Sequence, residues 1–209
     1  MNINQWITLS ISLILGAISP GPSIVLVINN TLSGNQKQGI YTAIGHGFGF
    51  GLYAFISSIA LSTIITYQSS IELYMRILGA LLLLWISCTF IGSKNFNLKE
   101  HLDHESINIR LAKCFKQGFL IAFLNPKILA WMLAIYIPFI NPSYPPMQLI
   151  YMGILAIIID SSWYIGIAIM LSKTTRLSYI KENVSNINKI IGIILAIYAI
   201  TLINDIVQY

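Results

Sequence analysis

Two ionisable side chains of opposite charge, Lys127 and Asp160, lie deep inside long apolar segments of the sequence. Charged groups at such depth are costly, and they usually face a cavity or a partner. A helical rise of about 1.5 Å per residue puts both at roughly one level of a bilayer. A lysine there can bind a carboxylate, and an aspartate can hold an ammonium or a proton. The two residues therefore predict a site for a small zwitterion, with a purely structural ion pair as the alternative.

Proline-containing breaks interrupt two of the apolar segments at about the same depth. In lipid, backbone groups released by a proline are tolerated only where protein or a water-filled cavity receives them. Two such breaks in corresponding halves of a chain indicate the binding site of a transporter. The predicted substrate- or ion-binding residues are Ser19, Pro20, Gly21, Pro22, Asn125, Pro126, Lys127 and Asp160.

The composition requires a membrane protein to position these residues. The 209 residues are 56% hydrophobic and only 9% charged, whereas soluble domains carry about 25% charged residues. A bilayer crossing needs about 20 apolar residues, and six segments approach that length. They are 6–28, 40–67, 72–92, 115–140, 148–172 and 187–203. The sequence predicts an all-α membrane protein with six transmembrane helices, the first and fourth broken by proline, in one integral membrane domain spanning 1–209.

The basic residues alternate between the two sides of the predicted membrane. The loops after the first, third and fifth segments hold Lys37, Lys94, Lys99, Arg110, Lys113, Lys116, Lys173, Arg176, Lys181 and Lys189. The N-terminus, the segment 141–146 and the C-terminal tail hold no Lys or Arg; Arg76, at the start of the third segment, is the exception. By the positive-inside rule the basic loops face the cytoplasm, so both termini are expected outside. This distribution argues against a nucleic-acid partner despite the net charge of +5.

The two halves, roughly 1–93 and 113–209, resemble each other weakly and are joined by a basic cytoplasmic loop. The third and sixth segments share a base, an apolar pair, a glycine, an apolar run and an aromatic residue, with Gly79 matching Gly192. Segments one and four share the proline break. Because each half has an odd number of segments, the second enters the membrane from the opposite side. The sequence thus predicts two inverted three-helix repeats.

Four glycines surround a histidine in the second segment. Gly45 and Gly49, and Gly47 and Gly51, form two overlapping small-xxx-small pairs, which let another helix approach closely. We interpret them as packing residues without substrate contact. His46 lies toward the cytoplasmic end of the segment, and we interpret it as a packed, hydrogen-bonded histidine rather than a proton carrier.

The sequence gives little support for thiol-redox, metal or hydrolytic chemistry. A six-span thiol-redox relay requires reactive cysteines beside the prolines, but Ser19 and Asn125 occupy those positions. Cys88 and Cys114 lie elsewhere, and no Cys/His spacing indicates zinc. The segment 101–105 is interpreted as a solvated charged loop rather than a metal site. The sequence also lacks the motifs expected of an intramembrane hydrolase. We expect no enzyme activity, no metal and no cofactor.

Four segments resemble the lysine exporter / homoserine-threonine resistance family. They are SPGP at 19–22, GALLLLW at 79–85, GFLIAFLNPK at 118–127 and DSSWY at 160–164. The four segments occur in the same order as in the family, and the match covers nearly the whole chain. Ser23 departs from the family, where Asn is frequent, and Ile128 stands where a small residue is usual, so the substrate is not carried over.

The resemblance implies a secondary exporter of amino acids or related zwitterions in the bacterial inner membrane, coupled to the proton gradient. Its expected partners are a small amino-acid-like substrate and the lipid bilayer. Whether the chain acts alone or as a homo-oligomer stays open at this point.

Overall fold

A computed structural model describes residues 1–19, 21–67, 71–92, 110–141, 143–171 and 177–207. Within these ranges the chain forms α-helices without any strand, as the sequence predicts. The helices are α1 (Ile3–Ile18), α2 (Pro22–Asn29), α3 (Gln36–Tyr67), α4 (Ile71–Ile91), α5 (Leu111–Phe123), α6 (Pro126–Tyr136), α7 (Pro146–Leu171) and α8 (Leu177–Val207). A π-helical turn, Asn30–Gly34, extends α2, and a 3₁₀ turn, Ile137–Phe139, extends α6.

Four of the described helices are long and apolar enough to cross a membrane, namely α3, α4, α7 and α8. The number rises to six if each bent helix pair is one span. The axis bends by 63° between α1 and the α2 segment and by 58° between α5 and the α6 segment. Large apolar side chains such as Leu81, Trp85 and Ile197 are exposed along these helices. That is the surface expected of a protein whose solvent is lipid.

Local sequence explains where the bent pairs begin and end. Asn2 and Gln5 form a reciprocal capping box that starts α1. Pro22 and Pro126 each occupy the first turn of a helix, where the missing N–H has no intrahelical partner to lose. The Asn125 side chain caps α6 by accepting a hydrogen bond from the Lys127 amide at 3.0 Å. Proline at 20 lies outside the described residues.

Helix α3 lies at the centre of the packing, between α5 and α7, while α4 packs against α8. A Cβ added at Gly45 would collide with the Phe115 backbone on α5, and one at Gly49 would meet Phe119 O at 2.6 Å. Gly47 and Gly51 lie equally close to α7. The glycine pairs therefore hold two neighbours against α3, and the packing role predicted for them is confirmed.

Helix α8 is longer than its apolar segment. The sequence predicts a span over 187–203, but the helix begins ten residues earlier, at Leu177. Hydropathy finds only the part of a helix that lies in lipid, and polar residues such as Lys and Glu propagate a helix well beyond it. Against α4, Ser87 Oγ donates to the carbonyl of Gly192 at 2.8 Å.

Candidate functional site

The two helix breaks are joined by a hydrogen bond. Lys127, in the first turn of α6, donates from Nζ to Ser19 Oγ at 2.6 Å. Ser19 ends α1, and Gly21 precedes α2 with an extended backbone. A Cβ added at Gly21 would lie 3.8 Å from the lysine nitrogen. The lysine ammonium therefore lies beside the first break while its backbone belongs to the second.

A third helix contributes to the environment of this lysine. Its Nζ lies 4.3 Å from the centroid of the Phe90 ring on α4, a cation–π arrangement. Phe90 also stacks with Trp131 of α6, at 6.3 Å between ring centroids. The ammonium is thus fixed in position by an aromatic face and a hydroxyl.

Asp160 has a partner that the sequence did not assign to it. His46 Nδ1 on α3 and Asp160 Oδ2 on α7 are 2.6 Å apart, and the two side chains are 2% and 0% exposed. Tyr164, one turn along α7, packs its ring 4.6 Å from the imidazole, centroid to centroid. The hydrogen-bonded state expected for His46 is confirmed, and its position opposite Asp160 is new.

Both charged residues line one cavity. Its volume is about 30 Å³, which is room for a few water molecules. The lining residues are Gly16, Ser19, Gly21, Pro22, Ser23, His46, Phe50, Asn125, Lys127, Ile128, Trp131, Asp160 and Tyr164. Polar groups from the helix breaks and from α7 face apolar side chains of α3 and α6 across this space.

Three polar atoms of the lining have no hydrogen-bond partner among the described residues. They are His46 Nε2, Asp160 Oδ1 and Trp131 Nε1, and all are buried. Buried polar atoms are almost always hydrogen-bonded, so three that line one cavity indicate a place where a polar molecule binds. Gly16 leaves room for the Trp131 indole, because a Cβ added at Gly16 would lie 2.6 Å from Nε1.

The structure brings together six of the eight residues predicted from the sequence. Ser19, Gly21, Pro22, Asn125, Lys127 and Asp160 all line the cavity. Pro126 is absent from the lining and begins α6 instead. Pro20 lies outside the described residues.

Sequence reasoning missed the aromatic part of the lining. Phe50, Trp131 and Tyr164 are indistinguishable from core residues in the sequence, because an apolar segment shows no sign of which face meets a cavity. His46 was seen but was not connected with Asp160.

Metal and thiol chemistry have no visible site in the described part of the chain. It contains no group of three or more His, Cys, Asp or Glu residues that could hold a metal ion. Cys88 is exposed, Cys114 is buried, and neither is among the residues lining the cavity. The segment 101–105, considered as a metal site from the sequence, lies outside the described residues.

Apolar helices that can cross a bilayer, packed around a buried charged cavity, define a multi-pass membrane protein. The family model of the LysE type translocator matches residues 14–205, so the chain belongs to this family of translocators. The resemblance drawn from the four sequence segments is thereby confirmed.

Curated relatives agree with this assignment. An uncharacterized membrane protein of Vibrio cholerae is 21% identical over 92% of this chain and 93% of its own length. The uncharacterized membrane protein YahN of Escherichia coli is 22% identical over 90% of this chain and 83% of its own length. A leucine efflux protein of Salmonella choleraesuis is 24% identical over 68% of this chain and 66% of its own length. No solved structure matches.

Proposed function

We propose that this protein exports amino acids with apolar side chains across the bacterial cytoplasmic membrane, in exchange for protons. The observation that carries the proposal is that Lys127 and Asp160 line the same buried cavity, beside two helix breaks. An amino acid at neutral pH carries one negative and one positive group. A cavity with one cation and one anion matches that pair of charges.

The carboxylate of the substrate is assigned to the lysine end. Lys127 Nζ and the Ser19 hydroxyl are already within hydrogen-bonding distance of each other, and a carboxylate can accept from both. The first turn of α6 lies beside them, and the positive end of a helix dipole favours an anion. Broken helices of transporters commonly use their N-termini in this way.

The ammonium of the substrate is assigned to Asp160. Its Oδ2 is engaged by His46, while Oδ1 has no partner among the described residues. An ammonium has three donors and no acceptor, so a buried carboxylate oxygen is a suitable receptor. The two ends of the cavity then orient the substrate in one direction.

The side chain of the substrate is assigned to the apolar wall. Phe50, Ile128 and Trp131 supply it, and none of them carries a charge that could pair with a charged side chain. Leucine, the amino acid for which the leucine efflux relative is named, has a side chain of this kind. Leucine is therefore the first substrate to test.

Transport requires the cavity to widen, because about 30 Å³ is far below the volume of typical ligand pockets, about 300–1,000 Å³. The helix breaks are suitable hinges.

The contacts between the broken helices are those that an inverted repeat would produce. In such a repeat α1 corresponds to α5 and α2 corresponds to α6. The contact of α1 with α6 then corresponds to the contact of α5 with α2, and both contacts are present. The packing departs from this symmetry in other places. Gly79 faces Ile137, whereas Gly192 faces Ser87 and Ile91 of α4.

Orientation follows from the basic loops, and it can be tested directly. Reporter fusions at Tyr209 and within 95–110 are expected to give opposite answers, with the C-terminus outside the cytoplasm, because Lys and Arg stay on the cytoplasmic side. Paired alkaline phosphatase and fluorescent protein fusions at each point provide the measurement. A cytoplasmic Tyr209 would contradict either the six-span count or the orientation.

Export itself is tested in cells that accumulate leucine from a leucine-containing dipeptide. Expression of the protein should lower intracellular leucine and raise it in the medium. Lysine and glutamate should leave at least about a hundredfold more slowly, because a charged side chain against the apolar wall has no partner. Lys127→Met at matched membrane abundance serves as the control. Unchanged pools across a broad amino-acid panel would contradict the proposal.

The thiol-redox relay weighed from the sequence gains no support. Its cysteines would have to lie beside the two breaks, where the chain has Ser19 and Asn125. The family to which the chain belongs is one of translocators.

A further inference from the structure

The pair formed by His46 and Asp160 has an arrangement that substrate binding alone does not require. An ionised carboxylate only accepts hydrogen bonds, so Nδ1 is the donor in the 2.6 Å contact with Asp160 Oδ2. In a neutral imidazole bonded in this way, the other ring nitrogen, Nε2, carries a free lone pair. It has no partner among the described residues, and His46 lines the cavity.

We propose that His46 is the residue that carries the coupling proton, and that Asp160 alternates between the imidazolium of His46 and the ammonium of the substrate. This inference rests on the proposed function and adds to it the residue through which export is coupled to protons. It reverses the interpretation of His46 as a packing residue that the sequence suggested.

The proton-transfer step is a simple one. A proton from the outside solution bonds to the lone pair of Nε2, and the imidazolium then donates from both nitrogens. Its full positive charge compensates the Asp160 carboxylate, which weakens the attraction of that carboxylate for a second cation. The substrate ammonium is released outside. On the cytoplasmic side Nε2 loses the proton, and the carboxylate is again available to an ammonium.

The helices packed around His46 carry other titratable groups, and each is less suited to carry the proton. On α7, the Tyr164 hydroxyl shares a hydrogen bond with Ser23. On α6, Lys127 is engaged by Ser19 and Phe90. On α5, Cys114 interacts with Thr42, one turn before His46, and α2 contributes no titratable side chain. Imidazole is also the side chain that ordinarily changes charge between about pH 5 and 8.

Charge counting fixes the stoichiometry that this arrangement predicts. With neutral His46, the charges of Lys127 and Asp160 cancel, and a bound zwitterion adds none. The returning form carries one extra proton and therefore one positive charge. Each cycle moves one amino acid outward and one charge inward, so both the pH gradient and the membrane potential should drive export.

The test compares two activities of the protein reconstituted in liposomes with radiolabelled leucine. Exchange of leucine for leucine needs no net proton movement, whereas accumulation driven by an imposed pH gradient does. Asparagine at position 46 keeps an amide donor near Asp160 but cannot take up a proton. For His46→Asn, the ratio of driven accumulation to exchange should fall at least about tenfold, within the range of coupling between two sites. His101→Asn, the same substitution at another histidine, is the control.

The outcomes separate the inference from the proposed function. A ratio within about twofold of wild type would overturn the role of His46, since coupling energies are larger than this. A parallel loss of both activities, with normal His101→Asn, would assign His46 to substrate binding and also overturn it. Absence of exchange in the wild type, across the amino-acid panel, would instead refute the proposed function.

A second measurement does not depend on how well His46→Asn folds. The chain has three histidines, so the double variant His101→Asn/His104→Asn retains only His46. Diethylpyrocarbonate, which modifies imidazole, should lower the ratio of driven accumulation to exchange in this variant, and leucine should slow the reaction. An unchanged ratio after full modification of His46 would overturn the inference.

Discussion

Replacing Asp160 by asparagine is expected to leave the protein folded in the membrane and to reduce leucine export by about 10- to 100-fold, the range for one hydrogen bond to a charged group. Asparagine has nearly the same shape, and its carbonyl oxygen can still accept from His46 Nδ1. It has no charge to attract an ammonium. The measurement is the initial efflux rate at matched membrane abundance, together with the unfolding temperature in detergent.

A matched control lies on the same helix. Ser162 is exposed and is not among the residues lining the cavity, so Ser162→Ala should export leucine at the wild-type rate. Wild-type export by Asp160→Asn would reduce Asp160 to a packing residue. Loss of Asp160→Asn from the membrane would show instead that its bond with His46 serves folding. The first result would contradict the assignment of the ammonium site, and the second would contradict the expectation that the variant stays folded.

The start of α6 could be located from the sequence because its cause is local. Proline and asparagine act on the backbone within a turn of where they stand, and α6 begins at the predicted proline, Pro126. The sequence also suggested that the two breaks, which contain Ser19 and Lys127, lie at the same depth in the bilayer. That estimate requires only the rise per residue of a helix. Hydropathy indicated the apolar helices for a similar reason, since each segment is read independently of its neighbours.

The partner of Asp160 could not be located in the same way. From the sequence, an ion pair between Lys127 and Asp160 was one alternative, and in such a pair Lys127→Ala would leave a buried carboxylate without its partner. The structure places His46 against that carboxylate, and the pairing depends on how α3 and α7 rotate against each other. When Lys127 is removed, Asp160 still accepts a hydrogen bond from His46, and we therefore expect Lys127→Ala to affect transport more than folding.

One signal in the sequence could have revealed this pairing. Gly45 and Gly49 point to one neighbouring helix, while Gly47 and Gly51 point to another. A helix held closely on two sides buries the residues between those faces. His46 belongs to that stretch, so an opposing acid at similar depth was the partner to seek.

The close approach of α3 and α5 leads to the second large expected effect. A Cβ added at Gly118 of α5 would collide with the carbonyl of Thr42 and would lie 2.9 Å from the backbone nitrogen of His46. Backbone atoms of a packed helix cannot turn away as a flexible side chain can. Gly118→Ala should therefore separate the two helices and displace His46 from Asp160.

We expect Gly118→Ala to lower the free energy of unfolding by about 1–3 kcal/mol through overpacking, against a gain of up to about 1 kcal/mol from the better helix propensity of alanine. Gly166→Ala isolates that gain, because nothing lies within 4 Å of a Cβ added there. Thermal unfolding in detergent should thus shift downward for Gly118→Ala and stay level or rise for Gly166→Ala. Leucine export should fall only in the first variant. Equal unfolding temperatures for the two would mean that α3 and α5 do not approach as closely as described, and the geometry that brings His46 to the cavity would lose its basis.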